Sequence, residues 1–283
     1  MGSGPNGITV ANISVTASGA FTAAYTLPQV TDLRNYDTFN FAVNINRSRL
    51  GLVVLVDSSS RRRWYNLDLR VRPGWKQPVY SLTNFVGQDQ GFDLSQVAAL
   101  WFDFNHQALY ARDQLSIGAI SFDVGLVDHG DYSSNWVQDL TCGGTISTSS
   151  DTAVGLASLL ANVQACPDGQ VDIAINAIDY MALTWNWSNM SYISFYYKDN
   201  YPSMQHYFGI YDHNHNWRSW LFPNSYPGQW MKITAPLTTG YWRQSGTIDF
   251  SSIIQFEVGI FNGPPNQNYT FQIDEVALYP STN

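Results

Sequence analysis

Charged side chains are scarce in this chain: only 13% of its 283 residues are Asp, Glu, Lys or Arg. The 14 basic residues are outnumbered by 22 acidic ones, for a formal net charge of −8, and a surface of that sign repels a phosphate backbone, which argues against nucleic-acid binding. Arg61-Arg62-Arg63 is a lone basic cluster and reads as a solvated turn between two strands. No stretch approaches the roughly 18 apolar residues that a membrane-spanning helix needs. Cysteine is nearly absent. Cys142 and Cys166 bracket one segment, and a disulfide is expected between them, with two buried free thiols as the alternative. Gly-x-Ser-x-Gly, His-Glu-x-x-His and paired-Cys motifs are all missing, which removes the commonest hydrolase and zinc chemistries. Helical periodicity is also missing, apart from Thr152 to Val163 inside the cysteine loop.

What is abundant is aromatic and uncharged polar. Phe, Trp and Tyr make up 15% of the chain and hydrophobic residues 45%, enough for two cores of moderate size. With so little charge, the surface must be wetted by Ser, Thr, Asn, Gln and Tyr, as in secreted proteins. Met1-Gly2-Ser3-Gly4 reads as an expression remnant, which places any secretion signal outside this sequence. Asn-x-Ser/Thr sequons begin at Asn12, Asn46, Asn186, Asn189 and Asn268.

The chain also nearly repeats itself about 156 positions on. Tyr36 and Phe39 answer to Tyr192 and Phe195, Trp64 to Trp220, and Lys76 to Lys232. Asp93-Leu94-Ser95 returns as Asp249-Phe250-Ser251, and Leu100, Phe102, Phe104 as Phe256, Val258, Ile260. A period of this length implies a duplicated domain rather than a solenoid. Period-two alternation in Phe39-Phe41-Val43, Leu50-Leu52-Val54-Val56, Tyr65-Leu67-Leu69, Phe208-Ile210 and Phe271-Ile273, with turn clusters between, predicts an all-β chain of two tandem antiparallel β-sandwich (jelly-roll) domains. These would span residues 5–127 and 138–281, with 128–137 as linker.

The same alternation assigns the outer faces. If Leu100, Phe102 and Phe104 point inward, Trp101, Asp103 and Asn105 point out. If Tyr65, Leu67 and Leu69 point inward, Trp64, Asn66, Asp68 and Arg70 point out. In the second half the outward set is Tyr196, Lys198, Tyr207 and Tyr211, with Arg218, Trp220 and Glu257 expected to share that surface. Indole rings beside carboxylates, amides and guanidinium suit a sugar, whose C–H face stacks while its hydroxyls find hydrogen bonds. Trp75 and Trp230 read as structural. Asp68 with Asp103 could also form a glycosidase acid pair, although Asn66 and Arg70 would keep both ionised. Asp212-His213-Asn214-His215 reads as a polar turn rather than a metal site completed by His206.

Two segments carry a family resemblance. Pro73-Gly74-Trp75-Lys76 returns as Pro227-Gly228-Gln229-Trp230-Met231-Lys232. Asp249-Phe250-Ser251 is followed by the strand from Ile253 and then by Ile273-Asp274-Glu275-Val276. From about Tyr192 onward this resembles the galactose-binding-like jelly-roll carbohydrate-binding modules attached to cellulases and other glycoside hydrolases. The resemblance implies no catalytic residue and no cofactor beyond a possible structural calcium at Asp274, whose first-half counterpart is Gly118. It further implies a polysaccharide partner of β-glucan or hemicellulose type, a catalytic domain in the full-length protein, and secretion. A jelly-roll lyase or hydrolase, or a surface-layer or adhesin protein, is the alternative.

Overall fold

The computed structural model describes residues 8–11, 15–17, 22–36, 38–45, 49–69, 79–83, 85–104, 115–123, 125–128, 130, 133–139, 141–154, 157–176, 184–224 and 226–280. They divide into two compact units, residues 5–124 and, essentially, 125–283. All the paired strands are antiparallel, and the chain is all-β, as the alternation predicts.

The first unit contains β1 (Ile8–Ala11), β2 (Val15–Ala17), β3 (Thr22–Thr31), β4 (Thr38–Ile45), β5 (Arg49–Asp57), β6 (Arg62–Leu69), β7 (Val79–Ser81), β8 (Gly87–Gln88), β9 (Val97–Asp103) and β10 (Leu115–Asp123). One sheet has the order β1-β10-β4-β7, with β2 also on β10, and the other β3-β9-β5-β6-β8. Between them lies an aromatic core. Phe39 meets Tyr65 edge-on at 5.1 Å and Phe41 meets Phe102 at 4.9 Å, with Val53, Leu55, Leu67 and Leu100 filling in around them. β5 is apolar on both faces: Val53 and Leu55 point inward, while Val54, on the outer face, is still only 6% exposed.

The second unit contains β11 (Leu126–Asp128), β12 (Trp136–Gln138), β13 (Gly144–Ser149), β14 (Ser158–Gln164), β15 (Val171–Asn176), β16 (Tyr192–Asp199), β17 (Gln205–Asp212), β18 (Trp217–Phe222), β19 (Met231–Pro236), β20 (Arg243–Ser245), β21 (Ile253–Phe261) and β22 (Asn268–Tyr279). Its sheets run β13-β14-β22-β16-β19, with β11 also on β22, and β12-β15-β21-β17-β18-β20. Phe195 contacts Phe208 and Phe256 edge-on at 5.4 and 5.6 Å, and Phe208 stacks on Trp220 at 4.9 Å. Cys142 and Cys166 are disulfide-bonded.

Two expectations are corrected here. Among the described residues from Thr152 to Val163 none is helical: the second half is β14, whose Leu159, Ala161 and Val163 alternate into the core. Residues 128–137, read as a linker, instead include the end of β11 and the start of β12, paired to β22 and β15. Asp128 is buried and accepts from the Gly130 amide and the Asn135 side chain.

The turns between β5 and β6 and between β17 and β18 fix the phase of everything that follows. The buried Asp57 carboxylate accepts from the amides of Ser59, Arg61 and Asp93, and Asp212 accepts likewise from Asn214, Asn216 and Asp249. These bonds to backbone N–H hold both carboxyls below the usual range against the opposing effect of burial. Beyond the turns, Arg63 reaches the Leu82 carbonyl and lies 4.2 Å over Phe85, while Arg218 reaches the Leu237 carbonyl and lies 4.4 Å over Tyr241. Tyr65 donates to the Leu82 carbonyl, and Trp220 to that of Thr239. Asp57, Arg63 and Tyr65 therefore correspond to Asp212, Arg218 and Trp220, an offset of 155, whereas β9 and β21 keep 156. A one-residue slip in a strand exchanges its two faces.

Candidate functional site

In the first unit the outer face of the β3-β9-β5-β6-β8 sheet carries the expected tryptophans. Val54 pairs with Trp64 on β6 and with Trp101 on β9, so the two half-buried indoles flank it. Two strand spacings separate their backbones by about 10 Å. A Cβ on Gly87 would meet the Trp64 ring at 2.5 Å, so the indole lies over that glycine. Asn66 is exposed beside Leu52, and Asp103 pairs with Leu52 on its other side, accepting from Thr22 at 3.3 Å. Arg70, Asn105 and the Asp68 side chain lie outside the described residues, as do Trp75 and the sequons at Asn12 and Asn46.

In the second unit the slip redistributes the candidates. Trp220 is 2% exposed and stacks inside the sandwich, and Arg218 points to the same side, toward Leu237 and Tyr241. Neither belongs to the outer face. Tyr196 lies on the other sheet, on β16 opposite Lys232, whose amine sits 5.7 Å from its ring. Tyr207, Tyr211 and Glu257 do come together, on the outer face of the β15-β21-β17-β18 sheet. There they line a groove of about 180 Å³ with Gln170, Trp217, Ser219, Trp242, Arg243 and Phe261. Trp242 meets Phe261 edge-on at 5.2 Å, and the Arg243 guanidinium lies 3.9 Å from the Trp242 ring.

Among the described residues Glu257 is the one acid lining the groove, and Asp172 and Asp139 lie within 4.8 Å of it. Tyr207 donates to Asp172, and Gln170 bonds both the Tyr207 hydroxyl at 2.8 Å and Asp172 at 3.3 Å. Gln255 donates to Asp139 at 2.8 Å and to Glu257 at 3.3 Å, and Tyr211 reaches Glu257 at 3.4 Å. Gly209 stands opposite Glu257, and a Cβ there would meet its Oε1 at 2.5 Å. Burial, followed by the charges of Asp172 and Asp139, pushes the Glu257 carboxyl well above the usual range. Burial, with the charges of Asp172 and Glu257, also raises the Tyr207 and Tyr211 hydroxyls. Sequence reasoning missed Asp139, Asp172, Gln170, Trp217, Trp242, Arg243 and Phe261. The signal for some of them was the alternation through Trp217, Ser219 and Leu221, legible once β18 is phased from Asp212.

Other expectations fall elsewhere. Trp230 bonds Asp151 through its indole N–H at 3.1 Å, as a structural residue would. Arg61, Arg62 and Arg63 bond Asp57, Asp89 and Gln88, while the Arg61 and Arg62 side chains stay 39% and 51% exposed, so the basic cluster is both hydrogen-bonded and solvated. His213 and His215 are exposed in the turn, while His206 is buried 2.7 Å from Asp199. Asp274 is buried on β22; its Oδ2 accepts from the Thr152 hydroxyl and the Ala153 and Val154 amides, while its Oδ1 has no hydrogen-bond partner among the described residues. Burial raises this carboxyl to about 6. The orphaned oxygen fits one position of a calcium ligand set.

No family model and no curated protein matches the chain. Among solved structures it is similar to a family 11 carbohydrate-binding module from Clostridium thermocellum in complex with a β-1,3-1,4-mixed-linked tetrasaccharide, at 18% identity and a TM-score of 0.42 over 56% of this chain and 96% of that one. It is also similar to a structure described as a study of promiscuous specificity in carbohydrate-binding modules of the β-sandwich superfamily, at 10% identity and a TM-score of 0.38 over 96% and 98% of the two chains. A third is the mannan-recognising module TmCBM27, at 14% identity and a TM-score of 0.33 over 56% and 98%.

Proposed function

We propose that this chain binds polysaccharide without cleaving it, as two copies of one carbohydrate-binding module in a secreted glycan-degrading protein that also carries a catalytic domain. The observation that carries the reading is the composition of the two outer faces. Each places aromatic rings beside carboxyl, amide or hydroxyl groups on a rigid sheet, where an idle solvent face would hold small polar residues. In the first unit Trp64 and Trp101 stack on sugar rings, and Asn66 and Asp103 bond hydroxyls. In the second, Tyr207, Tyr211, Trp217 and Trp242 wall the groove, and Glu257 and Arg243 orient the sugar. Two weak contacts on one polymer bind together more tightly than either does alone.

The enzyme alternative draws on one observation: the Asp139, Asp172 and Glu257 oxygens lie within 4.8 Å of one another, close to the carboxyl separation of about 5 Å in retaining glycosidases. Affinity electrophoresis through a panel of soluble β-glucans, xylans and mannans, with a reducing-end assay on the same mixtures, separates the readings. Retardation without new ends is expected. New reducing ends would make the chain an enzyme, and neither retardation nor new ends with any glycan would discard both readings. We also propose a structural calcium at Asp274 Oδ1. Calcium should raise the melting temperature of the wild type over a chelator-treated sample and leave Asp274→Asn unchanged.

A further inference from the structure

The one acid among the described residues that line the second unit's groove, Glu257, belongs to a cluster of three carboxyl groups and the hydrogen-bond donors that face them. Glu257 on β21 is 4% exposed, and its oxygens lie within 4.8 Å of those of Asp172 on β15 and Asp139 beyond β12. From its own strand it faces Gln255, and from β17 Tyr211, with Tyr207 held on Asp172 and no side chain at Gly209. β18 contributes Trp217 and Ser219, and Gln170 comes from the segment before β15. Among the groove-lining residues Arg243 is the one cation, and it is exposed and lies over Trp242 rather than on the floor.

Three carboxyl groups this close cannot all be ionised without strong mutual repulsion, and of the two buried members the one with the longer hydrogen bonds takes up the proton: Tyr207 donates closely to Asp172, while Gln255 and Tyr211 reach Glu257 at 3.3 and 3.4 Å. That member is Glu257, whose carboxyl burial and the charges of Asp172 and Asp139 push up. A sugar lying over the groove displaces the water that screens the cluster, so the repulsion grows in the bound state. A protonated carboxyl also offers an O–H donor to a sugar oxygen, which a carboxylate cannot.

Resting on the reading of this groove as a glycan site, we propose that glycan binding by the second unit is coupled to uptake of a proton by the Asp139–Asp172–Glu257 cluster, so that affinity falls as pH rises. Because the bound state holds its proton to higher pH than the free state, affinity changes by up to about tenfold per pH unit between the two midpoints. Glu257 is the residue through which the coupling acts.

The test is calorimetric titration of the intact chain with whichever panel polysaccharide retards it, from about pH 5 to about pH 9. Chelator keeps any divalent cation from standing in for the proton, and buffers of different ionisation enthalpy count the protons directly. A Trp64→Ala/Trp101→Ala background silences the first unit's face. Affinity is expected to fall at least about tenfold across the range, with net proton uptake on binding. Glu257→Gln should abolish the uptake and flatten the profile. Asp139→Asn, which removes one repelling charge, should move the fall to lower pH. Binding with pH-independent affinity and no proton uptake overturns the proposal, as does a fall that persists unchanged in Glu257→Gln. If no polysaccharide binds at any pH, the glycan reading itself fails. The cluster is then read from ligand-free melting in an Asp274→Asn background, where stability should decline with rising pH above the ordinary glutamate range with Glu257 present and less with Glu257→Gln; equal decline in both would show that Glu257 holds no such proton.

Discussion

The two units use one frame to present two different surfaces. Where the first has Trp64, Val54 and Trp101 side by side, the corresponding positions of the second are Ser219, Gly209 and Glu257. Gly209 leaves the room that the Glu257 carboxyl fills, whereas Val54 supports the two indoles. Beneath both faces the holding contacts are alike: an aspartate gathering three amides, an arginine over an aromatic ring, and an aromatic side chain donating to a carbonyl. The side of the sheet that faces the core is constrained by packing, and the side that faces solvent is free to carry different chemistry.

The sharpest way to break this comparison is to treat Trp64 and Trp220 as the equivalents their sequence spacing suggests. Trp220→Ala removes a buried ring and should cost about 3–5 kcal/mol of stability, measured by urea unfolding. Trp64→Ala should cost far less stability yet weaken glycan binding. A similar loss of stability in both would mean that the one-residue slip is wrong. Next in size, Asp57→Ala and Asp212→Ala should each cost about 3 kcal/mol, because three backbone donors lose a charged acceptor. Near-equal losses would support a common role. Reduction of Cys142–Cys166 should remove about 3 kcal/mol from the second unit only.

Smaller effects separate the faces. Trp64→Ala with Trp101→Ala should weaken polysaccharide binding about 30-fold, at about 1 kcal/mol per ring, seen as reduced retardation in affinity gels. The pH response should also differ between the units. Asp57 and Asp212 are lowered in the fold, so their stabilisation is present above the ordinary value of 3.8 and is lost in both units as pH falls through and below it. Asp274 is raised from 3.8 to about 6, so in chelator-treated protein the second unit should lose stability as pH rises between those values, and Asp274→Asn should lessen the decline. His213→Ala and His215→Ala, in an exposed turn, should change stability by less than about 0.5 kcal/mol.

Much of the architecture was legible because the informative residues point inward. Phe39-Phe41, Phe102-Phe104 and Phe256-Val258-Ile260 alternate cleanly, since one face of each strand is buried in the sandwich. The second site was legible only in part. A single offset read along the whole repeat paired Trp64 with Trp220, because two tryptophans are a louder signal than Asp57 and Asp212, although the aspartates are what set the phase. Asp172 and Asp139 were missed because they reach Glu257 through pairing of β15 with β21 and through the chain beyond β12, and neither strand order nor long-range register can be read from local alternation. The segment from Thr152 read as helical because its small and apolar residues carry no strand alternation until Ser158.

The placement of Trp64 over Gly87 has a consequence for affinity. A ring that must first be fixed in one rotamer gives up conformational freedom when a ligand arrives, and that loss is subtracted from the stacking energy. At Trp64 the loss has already been taken during folding, because Gly87, which has no side chain, forms the bed on which the indole rests. On the proposed reading a sugar would meet a surface already in its bound shape, and a methyl group at position 87 would weaken binding without touching the ligand.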